Sequence, residues 1–177
     1  MKVILLSGKA RSGKDTAADV ILKKYNGIPF AFADDVKKIA YNHFGWHGEK
    51  DELGRKLLQD IGTTGRNYNR DLWADKTVDR IQECSSDNQL AVVTDTRYPN
   101  EIQRIKHEFP DVVAIRITRN SVEKLKHPSE TALDRWTDWD YLVENNGSLE
   151  EFQKKILEIM AELYDTIGNY RVCHGIH

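Results

Sequence analysis

The chain has 177 residues, 40% of them hydrophobic, which suits one domain with a conventional core rather than two full domains. Its 26 lysines and arginines against 28 aspartates and glutamates give a formal net charge of −2, so general basicity does not indicate a nucleic-acid-binding protein. The 2 cysteines provide no disulfide framework and no apolar run approaches the roughly 18 residues of a membrane span, so we expect a cytoplasmic protein.

The N-terminal segment is predicted to form a strand, a glycine-rich loop and a helix. Residues 3–6 are uniformly apolar and branched, as in a strand buried on both faces of a parallel sheet, and residues 16–25 carry apolar side chains at helical spacing. Between them, residues 8–14 match the pattern G-x-x-x-x-G-K in the strand–loop–helix context of a nucleotide phosphate loop. The segment therefore predicts a nucleoside triphosphate site.

The end of this loop departs from the usual pattern. Lys14 supplies a mobile positive charge, and the backbone N–H groups and the helix N-terminus favour phosphate oxygens. The next residue is usually a serine or threonine whose hydroxyl binds Mg²⁺, but here it is Asp15, followed by Thr16. Because a carboxylate beside a polyphosphate is repulsive unless a cation lies between them, Asp15 predicts a contact with Mg²⁺ or with a partner arginine.

The next part of the chain, residues 34–84, is predicted to be entirely helical. Apolar residues recur at helical spacing in residues 34–44, 53–61 and 72–81. Because this stretch interrupts the alternation of strands and helices, we interpret it as a helical excursion that binds the substrate.

The alternation resumes after residue 84. Apolar runs at residues 90–93 and 112–115, and a shorter one at 141–143, predict strands, and a capping box of Ser148 and Glu151 begins the last helix. We therefore expect an α/β fold with a parallel sheet of about five strands and helices on both faces.

Asp95 and Arg97 directly follow one of these buried strands. In an open parallel sheet, ligands bind at the carboxyl ends of the strands, so we expect Asp95 to hold Mg²⁺ through water and Arg97 to face an acceptor phosphate. A phosphate acceptor is already anionic and requires no general base. The other arginines that we consider as phosphate ligands are Arg11, Arg55, Arg66, Arg70, Arg116 and Arg119.

The remaining sequence narrows the class of phosphate-loop protein. No N-K-x-D motif follows an apolar strand, which argues against a switch GTPase, and motor or AAA-type ATPases usually have longer chains. A small kinase fits the length.

Five segments then point to one family: residues 8–16, ending in Gly-Lys-Asp-Thr; 57–63; Asp-Thr-Arg at 95–97; His-Pro-Ser-Glu at 127–130; and 142–151. In this order they resemble bacteriophage deoxynucleoside monophosphate kinases, and the resemblance extends from residue 1 to about 160. It implies a P-loop kinase fold and phosphorylation of a deoxynucleoside monophosphate, with ATP and Mg²⁺ as cofactors. For a phage protein, it implies the host cytoplasm.

The resemblance also implies roles for individual residues. The ATP-binding residues would be Gly8, Ser12, Gly13, Lys14, Asp15, Thr16 and Arg119. The substrate-binding residues would be Arg11, Arg55, Gly62, Trp73, Asp95, Arg97, Glu101 and Glu130. The catalytic residues would be Lys14, Arg11, Asp15, Asp95 and Arg97, with Asp15 and Asp95 as ligands of Mg²⁺. Residues 119–135, including Glu130, would form a short lid, and the long insertion of larger phage members is absent around residues 45–52.

Other interpretations stay open at this point. Related P-loop kinases act on hydroxymethylpyrimidines in DNA or on other small phosphorylated acceptors, and a nucleotide-binding module without transfer activity would carry the same loop. By composition alone, Trp73 is more typical of the core than of a base-stacking wall. We expect small-molecule partners, no membrane and no nucleic acid, and the sequence leaves a homodimer open.

Overall fold

A computed structural model of the chain describes residues 1–49, 51–84, 90–121 and 127–173, with side chains as far as residue 164. In this part of the chain, five parallel strands form one sheet in the order β2-β3-β1-β4-β5. The strands are β1 (Lys2–Ser7), β2 (Ile28–Phe30), β3 (Leu90–Thr96), β4 (Val112–Thr118) and β5 (Tyr141–Glu144). The predicted α/β fold with a parallel sheet is confirmed.

Helices cover both faces of this sheet. They are α1 (Lys14–Tyr25), α2 (Asp34–Phe44), α3 (Glu52–Tyr68), α4 (Leu72–Glu83), α5 (Pro99–Glu108), the short α6 (Pro128–Thr131) and α7 (Leu149–Cys173). Within the described residues, no helix is both long and apolar enough to cross a membrane.

The central strand β1 separates two hydrophobic clusters because successive strand side chains point to opposite faces. Val3 and Leu5 pack into a cluster with residues of α2, α4 and α5, whereas Ile4 and Leu6 pack with residues of α1 and α7. All four side chains are fully buried. The uniformly apolar run that predicted this strand is therefore the consequence of burial on both faces.

Besides the short α6, two elements are absent from the sequence-based prediction. Strand β2 has only three residues, with Pro29 in the middle, and it lies at the edge of the sheet, where a missing N–H donor is tolerated. Helix α5 begins at Pro99 and buries only two apolar side chains, Ile102 and Ile105. Both patterns are too short to indicate an element by periodicity alone.

The predicted helical excursion packs directly on the sheet. Helices α2, α3 and α4 occupy residues 34–84, and Val36, Val78 and Ile81 belong to the main core of the sheet. Helix α3 also continues seven residues beyond the predicted end at Ile61, to Tyr68. The lid was predicted over residues 119–135. Residues 122–126 of it lie outside the described residues, and the part from 127 onwards contains α6.

Candidate active site

The carboxyl ends of β1, β3 and β4 lie together and are joined by hydrogen bonds. The Ser7 hydroxyl at the end of β1 donates to the Thr96 carbonyl at the end of β3 (2.9 Å). Arg116 of β4 donates from Nη1 to the same hydroxyl oxygen (2.9 Å). The loops that follow these three strands therefore open on one edge of the sheet, where ligands of open α/β sheets bind.

The loop between β1 and α1 depends on glycine at two positions. A Cβ at Gly8 would lie 2.5 Å from the Ile117 carbonyl oxygen. Gly13 has φ of +111°, and its Cβ would lie 2.5 Å from Asn145 Nδ2. Both glycines of the sequence motif are therefore required by close approach of neighbouring strands and loops.

Some backbone N–H groups of this loop are already bonded, and others are available. The N–H of Ala10 donates to a Glu130 oxygen and that of Ser12 to the Lys9 carbonyl. Among the described residues, the N–H groups of residues 13–15 at the start of α1 have no protein acceptor. These groups and the helix N-terminus form an anion-binding cradle.

Lys14 is folded back over the loop. Its Nζ donates to the carbonyls of Gly8 (2.7 Å) and Lys9 (2.8 Å), and the residue is only 7% exposed. Burial, and then the positive charge of Arg97, lower the pKa of Lys14 to about 8. The ammonium is thus held at a desolvated position that an anionic ligand would stabilise.

Arg97 lies opposite this loop and is held by the segment around α6. Its guanidinium pairs with Glu130 and donates to the Ser129 carbonyl (3.4 Å). The other Glu130 oxygen accepts the Ala10 N–H (2.8 Å). Burial disfavours the charged carboxylate, but Arg97 and this N–H outweigh it, and the pKa of Glu130 lies below its usual value.

Asp95 supports the backbone beside the site. Its two oxygens accept the N–H groups of Phe32 (2.8 Å) and Ala33 (3.1 Å) in the loop between β2 and α2. Burial raises the pKa of Asp95, and the two N–H donors oppose that effect. Asp95 therefore links β3 to the start of α2.

Glu101, which the resemblance assigned to the substrate site, holds the backbone of the Arg97 turn instead. One of its oxygens accepts the N–H groups of Arg97 (2.7 Å) and Tyr98 (3.0 Å), and the residue is 4% exposed. Burial, and to a smaller extent the charge of Asp95, raise the pKa of Glu101 to about 8, although the two backbone N–H donors oppose this effect. This side chain is buried and is bonded to the backbone of the turn that carries Arg97.

Trp73 also departs from the role that the resemblance implied. The indole is 4% exposed in the core, and Nε1 donates to the Gly62 carbonyl (2.9 Å). It lies directly against Gly65 of α3. The structure therefore places Trp73 as a packing residue that holds α3 on α4, in agreement with its composition-based interpretation.

A second set of polar side chains forms the opposite wall of the site. The Arg66 guanidinium of α3 lies 4.3 Å from the centroid of the Tyr98 ring. His127 Nδ1 and Ser129 Oγ are 2.7 Å apart beside α6, and burial followed by the charges of Arg66 and Arg97 lowers the pKa of His127. Helix α3, the end of β3 and α6 therefore converge here.

The roles implied by the resemblance included neither Arg66 nor Tyr98, although Arg66 was among the arginines considered as phosphate ligands. A signal for Arg66 was present, since it lies four residues after Gly62 and eleven after Arg55, which places all three on one face of α3. Arg55 itself is exposed. No sequence pattern indicated that Tyr98 would lie under an arginine.

A cavity of about 240 Å³ lies on the other side of the phosphate loop. Its lining includes Ser12, Arg116 and the predicted ATP-binding residue Arg119. Ser12 Oγ is buried without a hydrogen-bond partner in the described structure. Asn145, which the prediction also omitted, donates from Nδ2 to the Ser12 carbonyl (2.9 Å) and fixes the loop from the β5 side.

The two predicted Mg²⁺ ligands are compatible with that ion. Asp15 is exposed in the first turn of α1, next to Lys14, and Asp95 keeps lone pairs beyond its two backbone contacts. Mg²⁺ at nucleotide sites typically takes one or two carboxylates, phosphate oxygens and water. The oxygen donors present at this site fit such an ion.

Two sequence comparisons concern deoxynucleotide monophosphate kinases. The sequence model of the family described as deoxynucleotide monophosphate kinase matches residues 2–54 and 46–156. An Acanthamoeba polyphaga mimivirus protein, provisionally named deoxynucleotide monophosphate kinase, is 28% identical over 89% of this chain and 95% of its own.

Solved structures show the same architecture. A dephospho-CoA kinase from Campylobacter jejuni has a TM-score of 0.59 at 13% identity, over 92% of this chain and 98% of its own. A thymidylate kinase from Candida albicans has a TM-score of 0.55 at 14% identity, over 91% of both chains. At these identities the likeness concerns the fold, which is that of the P-loop kinases.

Proposed function

The chain belongs to the deoxynucleotide monophosphate kinase family, and we propose that it transfers the γ-phosphoryl group of MgATP to a deoxynucleoside monophosphate. The bond between the γ-phosphorus and the β,γ-bridging oxygen breaks, and an anionic oxygen of the acceptor phosphate forms the new bond. The products are ADP and a deoxynucleoside diphosphate.

The proposal depends above all on the approach of two cationic groups from different loops. Lys14 begins α1 at the end of the loop after β1 and donates to the Lys9 carbonyl of that loop, whereas Arg97 belongs to the turn after β3. Glu130 lies between the two loops, bonded to one and paired with the arginine of the other. This is the arrangement that a donor phosphate and an acceptor phosphate require, because phosphoryl transfer depends on positioning and positive charge.

Each wall of the site then has a role. The free N–H groups of residues 13–15 and Lys14 bind the β- and γ-phosphates, and the cavity beside Arg119 receives the donor nucleoside. Arg97 and the exposed Arg11 grip the acceptor phosphate, while Arg66 and Tyr98 line the acceptor wall. Mg²⁺, when bound near Asp15 and Asp95, would neutralise charge on the triphosphate.

The test is an activity screen of the full chain. Purified protein with MgATP is offered each of dTMP, dGMP, dCMP, dAMP and hydroxymethyl-dCMP, and ADP and the diphosphate product are measured together. We expect equal amounts of both products with at least one acceptor. Hydrolysis of ATP without a diphosphate product, or no ADP above background, would contradict the proposal.

A pair of lysine variants assigns the activity to the phosphate loop. Lys14→Ala removes the buried ammonium, and we expect turnover to fall by about 10²-fold or more with an unchanged circular dichroism spectrum. Lys23→Ala changes an exposed lysine on the same helix and should keep full turnover. Equal turnover of the two variants would move the triphosphate to another site.

A further inference from the structure

Glu130 makes an unusual combination of contacts for a carboxylate beside a phosphate site. One oxygen accepts the Ala10 N–H from the loop after β1, and the other pairs with Arg97 from the turn after β3. The residue is 9% exposed, so the carboxylate is largely removed from solvent. A single side chain therefore joins the donor loop to the acceptor-side arginine.

The segment that carries Glu130 is itself well fixed. The Glu130 N–H donates to the His127 carbonyl (2.8 Å), and the Ser129 N–H donates to the His127 ring (3.2 Å). The Ser129 carbonyl accepts a second bond from Arg97. The Arg97 guanidinium thus contacts two neighbouring acceptors on one short helical turn. Glu101 accepts the backbone N–H of the same arginine.

The contact with Ala10 is compatible with bound nucleotide. The N–H groups of residues 13–15 have no acceptor among the described residues, and they are the donors at the helix N-terminus. The Ala10 N–H lies three residues earlier in the loop. Phosphates can therefore bind the N–H groups of residues 13–15 while the Ala10 N–H stays bonded to Glu130.

We propose that Glu130 is a positioning residue, which holds the Arg97 guanidinium at a set distance from the phosphate loop so that donor and acceptor phosphates meet in line. This inference rests on the proposed function, because Arg97 is taken to grip the acceptor. It differs from the lid or substrate contact that the family resemblance implied, since Glu130 contacts protein groups on both sides. A misplacement of about 1 Å can cost about 10²-fold in rate.

Kinetics of two variants test the proposal. Glu130→Gln keeps the size and one acceptor but loses the charge that pairs with Arg97, and Glu130→Asp keeps the charge but is too short to span both partners. We expect both to lower kcat about 10- to 100-fold while the KM values change less than about 3-fold. Glu108→Gln, which disrupts an Arg104–Glu108 ion pair away from the site, is the matched control and should keep kcat.

A double-mutant cycle shows whether Glu130 acts through Arg97. If it does, adding Glu130→Gln to Arg97→Lys should lower kcat by less than about 3-fold beyond Arg97→Lys alone. Additive losses, an unchanged kcat in Glu130→Gln, or a lower KM without a loss of kcat would overturn the proposal. The last result would identify Glu130 as an anion that competes with substrate phosphates.

An exchange measurement tests the contact without depending on turnover. With saturating ADP, amide hydrogen exchange at Ala10 should be at least about 10-fold faster in Glu130→Ala than in the wild type, because the acceptor is lost. Equal rates would mean that the contact does not persist with nucleotide, and the proposal would fail. An inactive wild type with this exchange difference would instead contradict the proposed function alone.

Discussion

Replacing Gly65 by alanine tests how α3 is held on the core. A glycine in a helix interior costs roughly 1 kcal/mol relative to alanine, so helix propensity alone favours the substitution. The structure opposes it, because a Cβ at Gly65 would lie 2.7 Å from Trp73 Cε2 and 3.0 Å from Nε1. The indole is 4% exposed and bonded to Gly62, so it cannot swing away.

The expected magnitude follows from these opposing terms. Overpacking of a filled core costs about 1–3 kcal/mol, and the ring contacts here are so short that we take the upper part of this range, about 2–3 kcal/mol. After the roughly 1 kcal/mol gained in helix propensity is subtracted, we expect Gly65→Ala to lower the free energy of unfolding by about 1–2 kcal/mol. For a chain of this size, that corresponds to a decrease in Tm of about 2–8 °C. Urea unfolding monitored by circular dichroism measures the change, with an unchanged m-value as the sign of two-state behaviour.

Gly62→Ala is the matched control on the same helix. A Cβ there would meet only the movable end of the Arg66 side chain, at 3.2 Å or more. Its free energy of unfolding should therefore stay equal or rise by up to about 1 kcal/mol. If Gly65→Ala were as stable as Gly62→Ala, the packing of Trp73 against α3 would be refuted.

Two further predictions concern pH. Because the pKa of Lys14 is lowered to about 8, kcat/KM for ATP should fall as the pH rises through about 8 and the ammonium of the free protein is lost; a flat profile between pH 7 and 9 would contradict this. The pKa of Glu101 is raised to about 8 in the folded chain, so its contribution to stability is complete below its unfolded pKa and is lost as the pH rises through 8. Glu101→Gln stays neutral at every pH, so its free energy of unfolding should rise relative to that of the wild type by up to a few kcal/mol between pH 5 and 8, as measured by urea titrations. If the difference in free energy of unfolding between variant and wild type were the same across this range, Glu101 would not titrate there.

The structural features that could be predicted from the sequence are those formed by residues close together in the chain. The apolar run of β1, the loop from Gly8 to Lys14 and the capping box of Ser148 and Glu151 each express their structure over a few residues. Helix α2 begins and ends at the predicted residues. By contrast, the three-residue β2 is a strand only because β3 is available beside it.

Part of the candidate site could be predicted from local sequence, and part depends on contacts between distant segments. Arg97 was predicted because it directly follows a buried strand, a local feature with a general meaning in parallel sheets. Trp73 and Glu101, to which the resemblance implied substrate-site roles, are both buried in the structure, because a role carried over by motif position does not show whether a side chain faces a cleft or the core. The contact between Arg66 and Tyr98 depends on how α3 lies across the end of β3.

The sequence by itself determined the parallel sheet and the phosphate loop, because strand burial on both faces and the glycine-lysine pattern are written in short segments. Only the tertiary structure decided which side chains meet that loop. Glu130 and Asn145 reach it from 120 and 133 residues away, at Ala10 and Ser12. The strand order β2-β3-β1-β4-β5 brings these loops together, and that order arises from packing of the whole chain, which no local pattern encodes.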